Sequence, residues 1–180
     1  MGFKESISND EVDIVKALLR KKSIPDDMVA YAVENGSLEM IEMLFHEGVD
    51  VKNYLWAACE SQREAVVDYL LTIGADPNNQ GSLSIVCENG NEAIFGALIN
   101  AGASVNMDCG FYHPLLMAAS NGHHGIVGQL YDLGVDVDYQ DPNGNNALHL
   151  ACRDDDYNMV CLLLSYGVPV VANDSRFYPY

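Results

Sequence analysis

Histidine, cysteine and aspartate are the side chains that could do chemistry in this sequence, and they fall in suggestive groups. His123-His124 is a tandem of metal-ligand type and His149 stands alone, while Cys59, Cys87 and Cys152 recur at intervals. Asp136, Asp138 and Asp141, and the run Asp154-Asp155-Asp156, offer oxygens to a hard cation. Each group lacks what the chemistry needs. Adjacent residues on a helix face different ways, so His123 and His124 do not converge on one ion. The first aspartate set lacks the interleaved glycine and terminal bidentate glutamate of a calcium loop, and the second straddles a helix turn. His149 has no nucleophile or base in the sequence to complete a catalytic pair. Five cysteines without a C-x-x-C pair argue for a reducing compartment and against zinc. Cys59, Cys87 and Cys152 read as small core fillers, and Cys59 and Cys87, in adjacent units, are too far apart for a disulfide. No glycine-rich phosphate loop or Gly-x-Ser-x-Gly elbow is present. The expectation is a protein that is not an enzyme, with no catalytic residue, no metal site and no cofactor.

Charge narrows the partners. Nine Lys and Arg stand against 26 Asp and Glu, a formal −17, and no Lys or Arg lies between Arg63 and Arg153. Nucleic acids and anionic membranes are held by cations that neutralise phosphate, so both are disfavoured here. No apolar run approaches the roughly 18 residues of a membrane helix, and the start "MGFKESISNDE" lacks the basic-then-apolar order of a secretion signal. The expected location is the cytoplasm, with the nucleus as the alternative.

The elements that carry these residues come from an internal repeat. One apolar signature aligns six times: Ile14-Val15 with Leu18-Leu19, Met40-Ile41 with Leu44-Phe45, Val66-Val67 with Leu70-Leu71, Ile94-Phe95 with Leu98-Ile99, Ile126-Val127 with Leu130-Tyr131, and Met159-Val160 with Leu163-Leu164. Pairs spaced by three and four residues make one stripe along a helix. Just beyond the stripe stands Gly48, Gly74, Gly102, Gly134 or Gly167, with Lys22 in that place in the first unit. A glycine there predicts a helix end that turns left-handed. Upstream lies a shorter helix with paired small residues, Ala32-Val33, Ala58-Cys59, Val86-Cys87, Ala118-Ala119 and Ala151-Cys152. Between the two helices stand Gly36, Gly90 and Gly122, or Gln62 and Asp155 as substitutes that cost about 1 kcal/mol if the backbone is left-handed. Helix pairs this short cannot bury their stripes alone, so they must stack on one another.

The stretch Asp141 to Val168, "DPNGNNALHLACRDDDYNMVCLLLSYGV", resembles an ankyrin repeat. Asp141, Gly144, Leu148, His149, Ala151 and Gly167 match that family's pattern, and Asn146-Ala147 replace its Thr-Pro. The unit before it keeps Asp108, Pro114, Leu115, Ala118, Ala119, Gly122, His123, Ile126, Val127 and Gly134. The resemblance covers the whole chain, strongly after Asn106 and weakly before Met28. It implies an all-α solenoid of about six helix-turn-helix units in a single array: an N-terminal cap at 1–22, repeats at 23–48, 49–74, 75–102, 103–134 and 135–167, and an unfinished hairpin or C-terminal cap at 168–180. It also implies that His149 bonds loop backbone between units and that His123 is structural.

Departures from the pattern carry further expectations. Glycine-to-glycine spacings are 26, 28, 32 and 33 residues, so the early units are five to seven residues shorter than the last. The loss falls in the connecting loop, which predicts projecting hairpins mainly in the C-terminal half. The tail "VPVVANDSRFYPY" starts another hairpin and stops, which fits a fragment of a longer protein or an aromatic cap formed by Phe177, Tyr178 and Tyr180.

Function then rests on surface. In the family the concave face is built from inner-helix ends and loop tips. Carried over unit by unit, these are Glu34-Asn35, Glu60-Ser61, Glu88-Asn89, Ser120-Asn121 and Arg153-Asp154, with Tyr112, Tyr139, Asn143 and Asn145 from the longer loops. Tyrosine gives large contact area at low entropy cost. The implied function is a protein-interaction module taking another protein, one with a basic segment, on an acidic, polar face. The alternative is a scaffold or targeting part of a larger enzyme, channel or effector. Leu98, Val105 and Asn106 also match the loose spacing of asparaginyl-hydroxylase targets among ankyrin proteins.

Overall fold

The six apolar stripes lie on helices, and each is preceded by a shorter one. A computed structural model describes residues 3–19, 24–107 and 112–171. Among these, twelve helices follow in order: α1 (Phe3–Ser8), α2 (Val12–Leu19), α3 (Asp26–Asn35), α4 (Leu38–His46), α5 (Leu55–Glu60), α6 (Glu64–Thr72), α7 (Ser82–Asn89), α8 (Glu92–Asn100), α9 (Pro114–Ser120), α10 (His124–Asp132), α11 (Ala147–Arg153) and α12 (Tyr157–Ser165). No strand occurs among the described residues.

The chain divides into two compact units, Met1–Ser82 with Gly96–Ala103, and Leu83–Phe95 with Ser104–Tyr180. In the first, inner helices α1, α3 and α5 pack in chain order, outer helices α2, α4 and α6 do the same, and each inner helix packs on its own outer partner. In the second, α9 packs on α10, α11 on α12, and α9 on α11. Contact therefore runs between neighbours in sequence, as stacked repeats require.

Helices of six to ten residues are marginal in water, so packing must hold them. Met40, Ile41 and Leu44 are buried on α4, Val66, Val67 and Leu70 on α6, Ile126, Val127 and Leu130 on α10, and Met159 and Leu163 on α12. Each fully buried Leu, Ile or Val contributes about 1.5–3 kcal/mol. The small pairs sit where expected. Ala32, Val33, Ala58, Cys59, Val86, Cys87, Ala118, Ala119 and Ala151 are buried. Cys152 is the exception and a correction: it is exposed, because no further pair packs on α11 among the described residues.

The turns follow the glycines with one departure. Gly48, Gly74, Gly102, Gly134 and Gly167 have φ between 78° and 94°, and the apolar residue after each donates its N–H to the carbonyl five residues back at 2.9–3.1 Å, as Val135 does to Leu130 at 3.0 Å. Between the helices of a pair, Gly90 and Gly122 are left-handed, and so are the strained substitutes Gln62 and Asp155, both at φ 54°. Gly36 is the departure: it is extended, with φ −77° and ψ 162°. Glycine is needed there for closeness instead, since a Cβ would stand 2.8 Å from the Ala32 carbonyl oxygen. The next residue, Ser37, caps α4 through the Met40 N–H at 3.1 Å and donates its hydroxyl to Asp10.

The first unit's inner helix was not visible as a small-residue pair. Ser6 and Ile7 fill that place and are fully buried, and Asp10 makes the left-handed turn at φ 57°. Lys22 and the neighbouring Arg20 and Lys21 lie outside the described residues, as do Cys109 and the tail from Ala172 to Tyr180.

The connections differ in length as the spacing requires. The short ones close with single 3-10 turns, Lys52–Tyr54 before α5 and Asn79–Gly81 before α7. The long one before α11 makes a tight turn on Asp141, whose N–H donates to the Asn145 carbonyl at 2.9 Å while the Gly144 N–H donates back to Asp141 at 2.8 Å.

Candidate partner-binding surface

The first unit places Glu34-Asn35 at the end of α3 and Glu60-Ser61 at the end of α5; the second places Glu88-Asn89, Ser120-Asn121 and Arg153-Asp154 at the ends of α7, α9 and α11. The last carbonyls of a helix have no partner inside it. Several of these residues supply one. Asn35 donates to the Tyr31 carbonyl at 3.0 Å, Ser61 to Ala57 at 2.5 Å, and Asn121 and Ser120 to Met117 at 2.9 and 3.2 Å. The polar half of the ladder thus closes its own helix ends, a role that residue type alone did not reveal. Glu60 and Glu88 are exposed and Glu34 is half-buried. Arg153 and Asp154 pair with each other through two bonds at 3.0 and 3.1 Å, and this holds the Asp154 carboxyl below its ordinary range.

Among the loop residues, Tyr112 is 63% exposed. Tyr139 is half-buried and stacks on the ring of His113 with centroids 3.9 Å apart. Asn143 and Asn145 both serve the Asp141 turn: each donates its N–H to Oδ1 at 2.8 Å, and Asn145 adds its amide to Oδ2 at 3.0 Å. Of these four, Tyr112 and Asn143 are exposed, while Tyr139 and Asn145 are half-buried.

The groups first considered for chemistry are bound into the scaffold. The residue after the left-handed turn reaches back to the preceding inner helix: Arg63 donates to the Val33 carbonyl at 2.8 Å, and the His123 Nε2 lies 2.8 Å from the Glu88 carbonyl. Burial lowers the Arg63 pKa. A Cβ on Gly90 would fall on the His123 ring, so glycine there admits the histidine. His124 faces Asp156 at 3.2 Å. His149 corrects the expectation of a bond between units: it joins Asn146 in a reciprocal cap at the start of α11, and Asn146 itself makes the longer bond, to the Pro169 carbonyl at 2.8 Å. Burial pushes the Cys59 thiol up to about 12 and raises that of Cys87, as suits core fillers.

The loop aspartates have a local task. Asp50, Asp76 and Asp136 each stand two residues after a terminal glycine and accept the N–H two residues on, at 3.2, 2.9 and 3.0 Å. The recurring Gly-x-Asp was in the sequence and is the signal that identifies them as turn formers. Asn106 bridges loops, donating to the Gly134 carbonyl at 3.1 Å and accepting from Asp136 N–H at 2.7 Å. Among the described residues no three His, Cys, Asp or Glu side chains gather as metal ligands, and no helix is long and apolar enough to cross a membrane.

A family model for ankyrin repeats, in three copies, matches residues 5–81 and again 83–174. The chain is 29% identical over 150 residues to an L-asparaginase of Dirofilaria immitis, covering 76% of this chain and 25% of that protein. It is 28% identical over 174 residues to the ankyrin repeat and KH domain-containing protein mask-1 of Caenorhabditis elegans, covering 88% and 7%. An ankyrin repeat protein of Acanthamoeba polyphaga mimivirus is 28% identical over 184 residues, covering 96% and 38%. The crystal structure of the human ASB11 ankyrin repeat domain superposes with a TM-score of 0.78 at 20% identity, covering 97% of this chain and 88% of that one.

Proposed function

The chain belongs to the ankyrin-repeat family, whose members are in general protein-interaction modules, and on that premise we propose that it binds a partner protein or peptide through a Lys/Arg-bearing segment, without catalysis of its own. The contact residues in this reading are the acidic inner-helix ends, Glu34 and Glu60 in the first unit and Glu88 in the second. The observation that carries it is the fate of the cations. Every described Lys and Arg is engaged within the chain: Lys4 over the Tyr31 ring at 5.0 Å, Lys16 on Glu47 at 2.9 Å, Lys52 over the Phe45 ring at 5.7 Å, Arg63 on the Val33 carbonyl and Arg153 on Asp154. With 26 acids to nine bases in the sequence, the described residues then keep few counter-charges to spare. Such a surface attracts basic segments from a distance, speeds their arrival and repels phosphate.

Affinity capture with the wild type and with Glu34→Lys, Glu60→Lys and Glu88→Lys combined tests the reading. Partners enriched by the wild type should be basic and should be lost from the variant; capture of the same partners by both contradicts it.

A second reading is favoured by one observation. The chain spans between 7% and 38% of the three relatives described above. Here it is the scaffold or targeting portion of a larger protein, its activity lying beyond these residues. A natural reading frame continuing past Tyr180 supports this, and a stop codon there removes it.

A further inference from the structure

Asparagine followed by glycine occurs four times in the chain, at Asn35-Gly36, Asn89-Gly90, Asn121-Gly122 and Asn143-Gly144. Glycine has no side chain to hinder its own backbone nitrogen, so in this pair the nitrogen can attack the asparagine side-chain amide, one reason that asparagine is heat-labile. The attack needs two freedoms. The side-chain amide must swing onto the following peptide, and the glycine N–H must be released. Three of the four steps lie at helix ends, where these freedoms are restricted. Asn35 and Asn89 are the last residues of α3 and α7, and Asn121 directly follows α9. The Asn35 and Asn121 amides donate to the Tyr31 and Met117 carbonyls. The N–H groups of Gly36, Gly90 and Gly122 close the helix ends on the carbonyls of Ala32, Val86 and Ala119 at 2.7, 2.9 and 3.3 Å. Asn143 differs. It is exposed and outside any helix, and among the described residues its side-chain amide makes no hydrogen bond, its backbone N–H alone being engaged, by Asp141. The Gly144 N–H is held by one turn bond, to the Asp141 carbonyl at 2.8 Å, beside the exposed Pro142. A bond so placed opens locally at little cost.

We propose that Asn143 is a site of spontaneous deamidation in the folded protein, with water as the co-reactant. Hydroxide takes the Gly144 N–H proton, and the nitrogen lone pair then forms a bond to Cγ of Asn143. The bond from Cγ to the side-chain nitrogen breaks, and that nitrogen leaves with a proton as ammonia. A cyclic imide remains. Water opens it by breaking one of its two C–N bonds: cleavage at Cγ leaves aspartate, and cleavage at the backbone carbonyl leaves isoaspartate, in which the chain runs on through the side-chain carbon. No oxidant or reductant is needed. Either product puts a new carboxylate into the turn that Asp141 organises. In isoaspartate the added methylene also falls between the Asn143 and Asn145 N–H groups, each of which donates to Asp141 Oδ1 at 2.8 Å, so the connection into the α11 cap loses its register.

Incubation of the whole folded chain in heavy-oxygen water, at about pH 8.5 and about 37 °C for about four weeks, tests this. The chain is then unfolded and digested with chymotrypsin in ordinary water; cleavage after Tyr139 separates Asn143 from the other three steps. A gain of about 3 Da marks conversion before digestion, against about 1 Da for any that happens afterwards. Asn143 is expected to convert at least about tenfold faster than Asn35, Asn89 and Asn121, whereas in the denaturant-unfolded chain all four convert within about threefold of one another. On ion exchange the incubated wild type should gain a more acidic species that Asn143→Gln does not. An unconverted Asn143 in the folded chain overturns the proposal, as does conversion of the helix-end steps at its rate. An acidic species that persists undiminished in Asn143→Gln overturns it as well.

Discussion

The connection leaving Gly48 and the one leaving Gly134 start alike and end differently. Both place an aspartate two residues after the glycine, and in both its carboxylate accepts the N–H two residues further on. From there the first unit needs only the 3-10 turn Lys52–Tyr54 to enter α5, while the second inserts the Asp141 turn and the Asn146 cap before α11. Lengthening a loop costs little by itself. What an insertion must do is satisfy its own polar groups, and here the Asp141 carboxylate accepts three bonds and Asn146 reaches Pro169 to do so. The helix pair is the common structural unit; the connection varies so long as it closes its own hydrogen bonds.

The largest effects should fall on the part that the two units share. Leu70 and Leu130 hold the same place in their stripes and both are fully buried. Leu70→Ala and Leu130→Ala should each cost about 2–5 kcal/mol in urea unfolding, and a much smaller loss in one unit breaks the equivalence. Next comes the device special to the long connection. Asn146→Ala removes a buried cap and a bond to Pro169, for an expected loss of about 1–2 kcal/mol. The left-handed substitutes provide a smaller, stabilising test with one site in each unit. Gln62→Gly and Asp155→Gly should raise the melting temperature, each by up to about 1 kcal/mol of stability, with the greater gain at Gln62 because aspartate tolerates that backbone better.

Acid should distinguish the units least, and in a known direction. Asp156, in the position that Arg63 holds in the first unit, has its carboxyl held below the ordinary range, chiefly by the Met159 N–H and less by His124. A folded pKa below the unfolded one adds stability above the usual carboxylate range, near pH 4, and loses it as pH falls through the folded value. Asp156→Asn should therefore flatten the fall in melting temperature between neutral pH and pH 3, whereas Arg63→Gln leaves its shape unchanged.

Most of the fold was legible because its determinants are local. Stripes at helical spacing, glycines at helix ends and the recurring Gly-x-Asp are set by backbone geometry within a few residues. What escaped depended on neighbours. Ser6-Ile7 hid the first inner helix because serine reads as polar until packing buries it. Gly36 looked like its counterparts, yet close approach to Ala32 and capping by Ser37 set a different backbone. Cys152 matched the core pattern and is exposed, since burial at that position comes from the following pair. For the candidate surface, residue type did not separate the exposed Glu60 and Glu88 from the Asn35, Ser61, Ser120 and Asn121 side chains that turn back to cap their helices. Tyr139 likewise could not be told from Tyr112 until its ring was seen stacked on His113.

The most direct test of an acidic docking face is a titration with a defined basic peptide, such as an arginine-rich dodecamer, against two variants of equal net charge. One carries Glu34→Lys, Glu60→Lys and Glu88→Lys at the inner-helix ends; the other carries Asp13→Lys, Asp68→Lys and Asp132→Lys on outer helices. The account predicts that the wild type and the outer variant bind alike, and that the inner variant weakens by tenfold or more, about 1.4 kcal/mol. Equal weakening in both variants would contradict it, by showing that net charge, not this face, governs the encounter.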